Sequence, residues 1–363
     1  MMRLPAPRGP VTAFLFERLT RPPHAFDPPP AGTDDAAGPG EDLQLALFTC
    51  YELHYQGFEG VDDAWEWEPS LLALRRTLER RFEEWLARAV PPPVAGESTG
   101  KPGGRLNGEP ARESAGKPGG GSAVEPERVC RVLTELVAEA EGPPLAAFLE
   151  RRADPEQFRE FVVHRSIYHL KEADPHTWAL PRLRGRAKAA LAEIQADEYG
   201  GGRRERMHSE LFRATMRGLD LDDSYGAYLD RVPAITLATV NLMSLFGLHR
   251  ARRGALLGHL AVFEMTSSLP NLRYGRGLRR LGGDVTACRF YDEHVLADAV
   301  HEQIAAHDMC GGFAAAEPAL TGDILYGAAC ALALDRLFAE HVLDRWTRGA
   351  TSLREESLVV GGP

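Results

Sequence analysis

The sequence predicts an all-α fold. Apolar residues recur every three or four positions over most of the 363 residues, the spacing by which a helix buries one face. The interruptions carry Pro or Gly, the residues that stop helices. Alternating β-branched runs, the mark of half-buried strands, are nearly absent. No repeat of the roughly 20–50 residues that a solenoid needs is visible.

Taken in order, residues 1–40 are rich in Pro, Gly and Asp and read as an extended or disordered segment. From Asp42 to Phe58 the residues Leu43, Leu45, Leu47, Phe48 and Tyr51 fall at helical spacing. A second amphipathic stretch runs from Leu71 to Val90 and ends at Pro91-Pro92-Pro93, which cannot continue a helix. Residues 41–90 are therefore expected to form an N-terminal helical pair. Residues 91–125 follow as a low-complexity segment with GKPGG at Gly100–Gly104 and again at Gly116–Gly120. Such a composition buries no apolar surface and reads as a flexible linker. The main domain is expected over 126–350. Helices are predicted near 127–141, 155–173, 183–198, 203–218, 232–249, 253–268, 289–309 and 316–346. Their breaks hold Pro143-Pro144, Asp174-Pro175, Gly200-Gly201-Gly202, Pro233, Pro270, Gly282-Gly283 and Gly311-Gly312.

Composition narrows the function. The net charge of -10 argues against nucleic acid or an anionic membrane as the main partner. A hydrophobic content of 44% is enough for a sizeable core. No apolar run approaches the roughly 18–20 residues of a membrane span. The start, MMRLPAPRGPVTAFLFERLT, has no continuous apolar stretch of the secretory kind. The five cysteines are scattered without C-x-x-C, which suits a reducing cytoplasm better than a disulfide framework.

The strongest chemical signal is RFYDEHVLADAVHEQ. His294, Asp298 and His301 stand at i, i+4 and i+7 and fall within about 60° on one helix face. Two imidazoles and a carboxylate converging there suit iron or another first-row divalent metal. The alternative is a solvated polar face. A second signal, RRERMHSELF, sets Glu205 and His208 at i and i+3, the Glu-x-x-His pair that carboxylate-bridged two-metal bundles turn inward. Alone, such a pair also describes an exposed acid and a capping histidine.

Single acids must complete a site. Glu264 lies in the apolar string LAVFEMTS, where a carboxylate needs a charge partner, a hydrogen bond or a metal. Glu172 ends the helix SIYHLKEADP and, read alone, is an ordinary surface acid. Glu198, in DEYGGG, lies seven residues before Glu205, and the three glycines between them loosen or kink the chain.

At this point the chain resembles the haem-oxygenase-like diiron oxidases, often labelled iron-containing redox enzymes. The family pattern is a Glu, then Glu-x-x-His, then a lone Glu, then His-x-x-x-Asp-x-x-His, each group on its own core helix. Here it falls on Glu172; on Glu205 and His208; on Glu264; and on His294, Asp298 and His301. The strings CYELHYQGFEG, DEYGGG, RMHSELF, GHLAVFEMTSS and RFYDEHV are also similar to family members. The resemblance covers about residues 150–345. It implies a haem-oxygenase-like helical bundle with an N-terminal helical extension. It raises Glu172 from surface acid to ligand, and it makes Glu198 the candidate for a further carboxylate. The implied cofactors are two Fe2+ ions, with O2 as co-substrate and no catalytic residue beyond the metal ligands. The implied activity is O2-dependent oxidation of a small organic substrate, by N-oxygenation, desaturation or oxidative C–C cleavage, in specialised metabolism. The partners expected are that small molecule and an electron donor. A homodimer is compatible with the family, and neither nucleic acid nor membrane is expected.

Two rival functions use the same scaffold. A metal-free, thiaminase-like hydrolase needs a cysteine beside a carboxylate in the core cavity. Cys288 and Cys310 flank the helix of the principal motif, without an evident partner. A non-catalytic iron-binding protein would hold metal without turnover. A true haem oxygenase lacks a candidate proximal histidine. Glu52 and His54, two residues apart, lie on different helix faces and read as structural.

Overall fold

The computed structural model describes residues 2–27, 38–90 and 128–355, without the side chains of 297–299. The described residues form helices and no strand, apart from a single bridge between Met2 and Phe58. The linker expected over 91–125 lies outside them.

The helices are α1 (Pro10–Leu19), α2 (Glu41–Glu52), α3 (Pro69–Ala89), α4 (Val129–Glu139), α5 (Leu145–Arg151) and α6 (Pro155–His169). There follow α7 (Asp174–Thr177), α8 (Gly185–Glu198), α9 (His208–Arg217), α10 (Ala234–Leu248) and α11 (Arg253–Thr266). The chain ends with α12 (Ser268–Arg280), α13 (Val285–Gln303), α14 (Gly312–Ala316) and α15 (Thr321–Thr347). A π-helical segment, Ile304–Gly311, joins α13 to α14.

Two expectations at the N-terminus are corrected. Residues 1–40 are not uniformly extended, because α1 is a packed helix with Leu15 and Leu19 fully buried. Its first turn is held from another helix. The Asp42 carboxylate accepts from the Val11 and Thr12 amides, each at 2.8 Å, and from the Thr12 hydroxyl at 2.6 Å. That satisfies backbone donors which a helix start otherwise leaves unpaired. Nor is α2 part of an outlying pair. Every residue from Asp42 to Glu52 is buried, and α2 packs along α10. A helix buried on all sides belongs to the core. There the Asn241 amide donates to the Gln44 carbonyl and side-chain oxygens, both at 2.8 Å.

The most extensive helix pair is α11 with α15. Glycines make it possible. A Cβ on Gly258 would sit 1.8 Å from the Ile324 carbonyl oxygen, and one on Gly327 would sit 1.9 Å from that of Ala255. The helices therefore touch backbone to backbone.

α6 starts at a capping box, with the Asp154 carboxylate accepting from the Gln157 amide and Pro155 at its first position. It stops at His169, earlier than the predicted 173: the chain turns at Ala173, and a separate helix, α7, begins at Asp174 with Pro175 in its first turn. The turn after α6 carries Glu172 and contains Ala173 at φ +76°, a left-handed conformation that only firm surroundings impose on alanine.

Candidate metal centre

Five elements deliver the polar side chains of the bundle interior. The turn after α6 brings Glu172. α8 ends on Glu198 and α9 begins with His208. α11 brings Glu264, and α13 brings His294 and His301. All six are buried, none more than 8% exposed. They form two groups whose donor atoms lie within 4.8 Å of one another: Glu172, Glu198, His208 and His294 in the first, and Glu198, Glu264 and His301 in the second. Glu198 belongs to both.

The donor atoms crowd without bonding. His208 Nδ1 lies 2.9 Å from Glu198 Oε2, yet neither atom has a hydrogen-bond partner. Glu172 Oε2 and His301 Nδ1 are likewise buried without one. Buried polar atoms left unpaired cost about 1–3 kcal/mol each, so four in one place call for a common partner. Two carboxylates with two imidazoles, sharing an acid with a further carboxylate and imidazole, are a donor set for first-row divalent metal. The residues present thus fit iron.

Residues 159–336 match the model of the family described as iron-containing redox enzyme, and all six of these side chains fall inside that segment. Over that segment, the chain is similar to this family. No curated protein matches the chain. The match agrees with the all-α architecture and with the donor chemistry just described.

Outer contacts orient the rings of this site. His294 Nδ1 donates to the Phe290 carbonyl at 2.8 Å, which leaves Nε2 facing Glu172 Oε1 at 3.7 Å. His301 Nε2 meets the Asp197 carboxylate at 3.0 Å, so Nδ1 is the atom turned to Glu264, 3.3 Å away. His169 Nδ1 holds Glu172 Oε1 at 2.9 Å. Such carboxylate or carbonyl partners fix the tautomer and orientation of a ligating ring.

The acids set the electrostatics. Burial disfavours charge on His208 and His301, but the carboxylates outweigh it. Glu198 lifts His208 above its usual value. The facing Glu264 carboxylate, with Asp197, pushes His301 up to about 9. Burial would raise Glu172, but His169 and His294 hold it below the usual carboxylate range. Glu172 therefore stays ionised, and the carboxylates favour positive charge on the rings between them.

Sequence reasoning and structure differ at one position. Glu205 is exposed and joins neither group. The reason is the run Gly200-Gly201-Gly202, at φ +65°, +61° and +77°. It ends α8 and turns the chain back, so Glu205 lies in a separate short turn, Arg204–Arg206, and His208 opens a new helix. Glu198 takes the place expected for Glu205. The side chain of Asp298 lies outside the described residues. Glu172, His208, Glu264, His294 and His301 do converge. His169 and Asp197 were missed. His169 had a signal, since it stands three residues before Glu172, whereas Asp197 becomes a partner of His301 only through folding.

Glu52 and His54 are structural. Glu52 takes the Lys171 ammonium at 2.8 Å, and His54 bridges Glu66 and Arg75. A cavity of about 320 Å3 opens beside the first group, lined by Glu172, Glu198, Glu264 and His294 together with apolar and aromatic side chains. No described cysteine lines it. Burial pushes the Cys310 thiol above its usual range, and Cys288 upward, the opposite of an activated nucleophile. Among the described residues no helix is long and apolar enough to cross a membrane.

Proposed function

We propose that the chain is a non-haem diiron oxidase that uses O2 to oxidise a small organic molecule. The observation that carries this reading is Glu198, shared by two donor groups and so placed to bridge two metal ions. The first ion would be held by Glu172, Glu198, His208 and His294. The second would be held by Glu198, Glu264 and His301, with Asp298 a further candidate on the same helix. Reduced iron, when bound, supplies the electrons that activate O2.

The chain's own residues supply the rest. Glu172, Glu198 and Glu264 balance the metal charge. Asp197 and the Phe290 carbonyl keep His301 and His294 in the ligating tautomer. Phe212 and Phe290 pack on His169, with ring centroids 4.7 and 4.8 Å away, and keep bulk water from this side of the site. The adjoining cavity receives the substrate next to the acids.

The absence of a cysteine among the described cavity residues weighs against the thiaminase-like alternative. The decisive measurement is anaerobic loading with Fe(II), followed by exposure to O2. The proposal expects about two iron ions per chain and O2 consumption. Iron without O2 consumption would mark a storage or sensing protein, and no iron would end the diiron reading.

A further inference from the structure

The cavity has a second polar surface that the metal groups do not use. Arg165 of α6 lines it, with its guanidinium set 4.6 Å from the Phe338 ring and 5.5 Å from that of Phe161. The Tyr274 hydroxyl lies beside it. Tyr274 and Tyr291 both line the same cavity and pack on each other with centroids 5.9 Å apart. Tyr291 is 2% exposed, and its hydroxyl is buried without any hydrogen-bond partner. Asp335 meets one guanidinium nitrogen at 3.2 Å, but its own side chain is 64% exposed and reaches in from the rim. A guanidinium has five N–H donors in a planar fork, so one carboxylate oxygen leaves an edge for a second acceptor.

Resting on the diiron reading, we propose that Arg165, with the Tyr291 and Tyr274 hydroxyls, seats the carboxylate of the substrate. The substrate class is then a small organic acid whose carboxylate points away from the metals. A carboxylate satisfies the fork and the unpaired phenol together. A dianionic phosphate is a poorer fit, because the single guanidinium already shares its charge with Asp335. An ammonium group would meet like charge.

The placement also sets the length of the acid. Arg165 precedes His169 by one turn of α6, and Tyr291 precedes His294 by three residues of α13. At 1.5 Å per residue the seat lies roughly 4.5–6 Å along the helices from His294 and from His169, the partner of Glu172. The atom to be oxidised is therefore a few bonds from the carboxylate, and the apolar walls take the chain between.

The test is binding of butanoate, hexanoate and octanoate against the matched primary alcohols, by calorimetry, on both metal-free and iron-loaded protein. At least one acid is expected to bind tenfold or more tighter than its alcohol, with or without iron. Arg165→Gln should abolish that preference, and Tyr291→Phe should weaken acid binding several-fold. Iron content should be unchanged in both. Acid and alcohol binding equally, or no acid binding, would overturn the proposal. So would a preference that survives Arg165→Gln, or one that appears only with iron, which would place the carboxylate on the metal. If Arg165→Gln fails to fold, Tyr291→Phe and Arg165→Lys give the same reading. Iron content, measured separately, reports on the diiron assignment itself.

Discussion

The Lys171 ammonium lies 2.8 Å from the Glu52 carboxylate, and both side chains are almost wholly shielded from solvent, at 1% and 0% exposure. The pair joins the turn that carries Glu172 to the core helix α2. The second Glu52 oxygen accepts from Tyr225 at 2.6 Å, and Lys171 stands over Phe48 and Tyr55.

Removing one member should therefore be far worse than removing both. Lys171→Met strands a buried carboxylate, and we expect a loss of about 3–5 kcal/mol. Adding Glu52→Gln, which keeps an acceptor for Tyr225, should recover at least half of that loss. Urea unfolding of the two single variants, the double variant and the parent gives the coupling. Additive losses would show that the two charges do not depend on each other.

The shared position of Glu198 makes a quantitative prediction. Glu198→Ala should reduce iron to well under one ion per chain, because both groups lose a donor. Glu264→Ala should leave about one. Glu205→Ala and His54→Ala should load like the parent. Iron analysis after anaerobic reconstitution decides among these, and a strong loss in Glu205→Ala would restore the simple Glu-x-x-His reading.

That contrast also shows what could be read from the sequence. Local periodicity located most helices, and the apolar run around Glu264 marked it as unusual. The fold of the Gly200–Gly202 turn was not readable, because three successive positive φ values depend on glycine but are not dictated by it. Glu198 and His208 thus meet across a glycine turn, a meeting that helical spacing cannot supply. α12 was missed since Pro270 read as a break. It falls within the first turn, where a missing amide proton costs little. α1 was hidden in a Pro-rich segment, and its stabilising partner, Asp42, lies on another helix.

Burial affects the acid limit of stability through His164. Its ring is 2% exposed and bonds Thr236 at 2.7 Å and Ser352 at 3.0 Å, while Ser352 is tied to Glu160. Burial, then the nearby His341 and Arg165, hold it well below the usual histidine value of 6.5. The folded ring stays neutral where the unfolded one takes up a proton. Its stabilising contribution is whole above pH 6.5 and falls as pH drops below that value, by up to about 1.4 kcal/mol per unit. Unfolding free energies of the metal-free protein, measured from pH 7 to pH 5, should fall more steeply for the parent than for His164→Gln. Parallel curves would mean that the histidine is protonated in the fold.

Metal should order the helix that carries two of the candidate ligands. α13 presents His294 and His301 inward, yet Leu296 and Val300 on its other side are 74% and 59% exposed. Its C-terminal end runs into the π-helical Ile304–Gly311, whose hydrogen bonding is less favourable than that of an α-helix. Packing on one side only gives this segment few other contacts to oppose local opening. In the metal-free chain His301 Nδ1 lacks a bonded partner, an unfavourable contribution of about 1–3 kcal/mol. Metal binding removes that cost only when the helix is formed, so binding and ordering are linked. We expect amide exchange across residues 294–305 to slow at least tenfold, or about 1.4 kcal/mol, on adding Fe(II) anaerobically. Exchange in α11, locked against α15 through Gly258 and Gly327, should change much less. His301→Ala should lose most of the slowing while α11 keeps its protection. Slow exchange across 294–305 without metal would instead show a site fully formed before iron arrives.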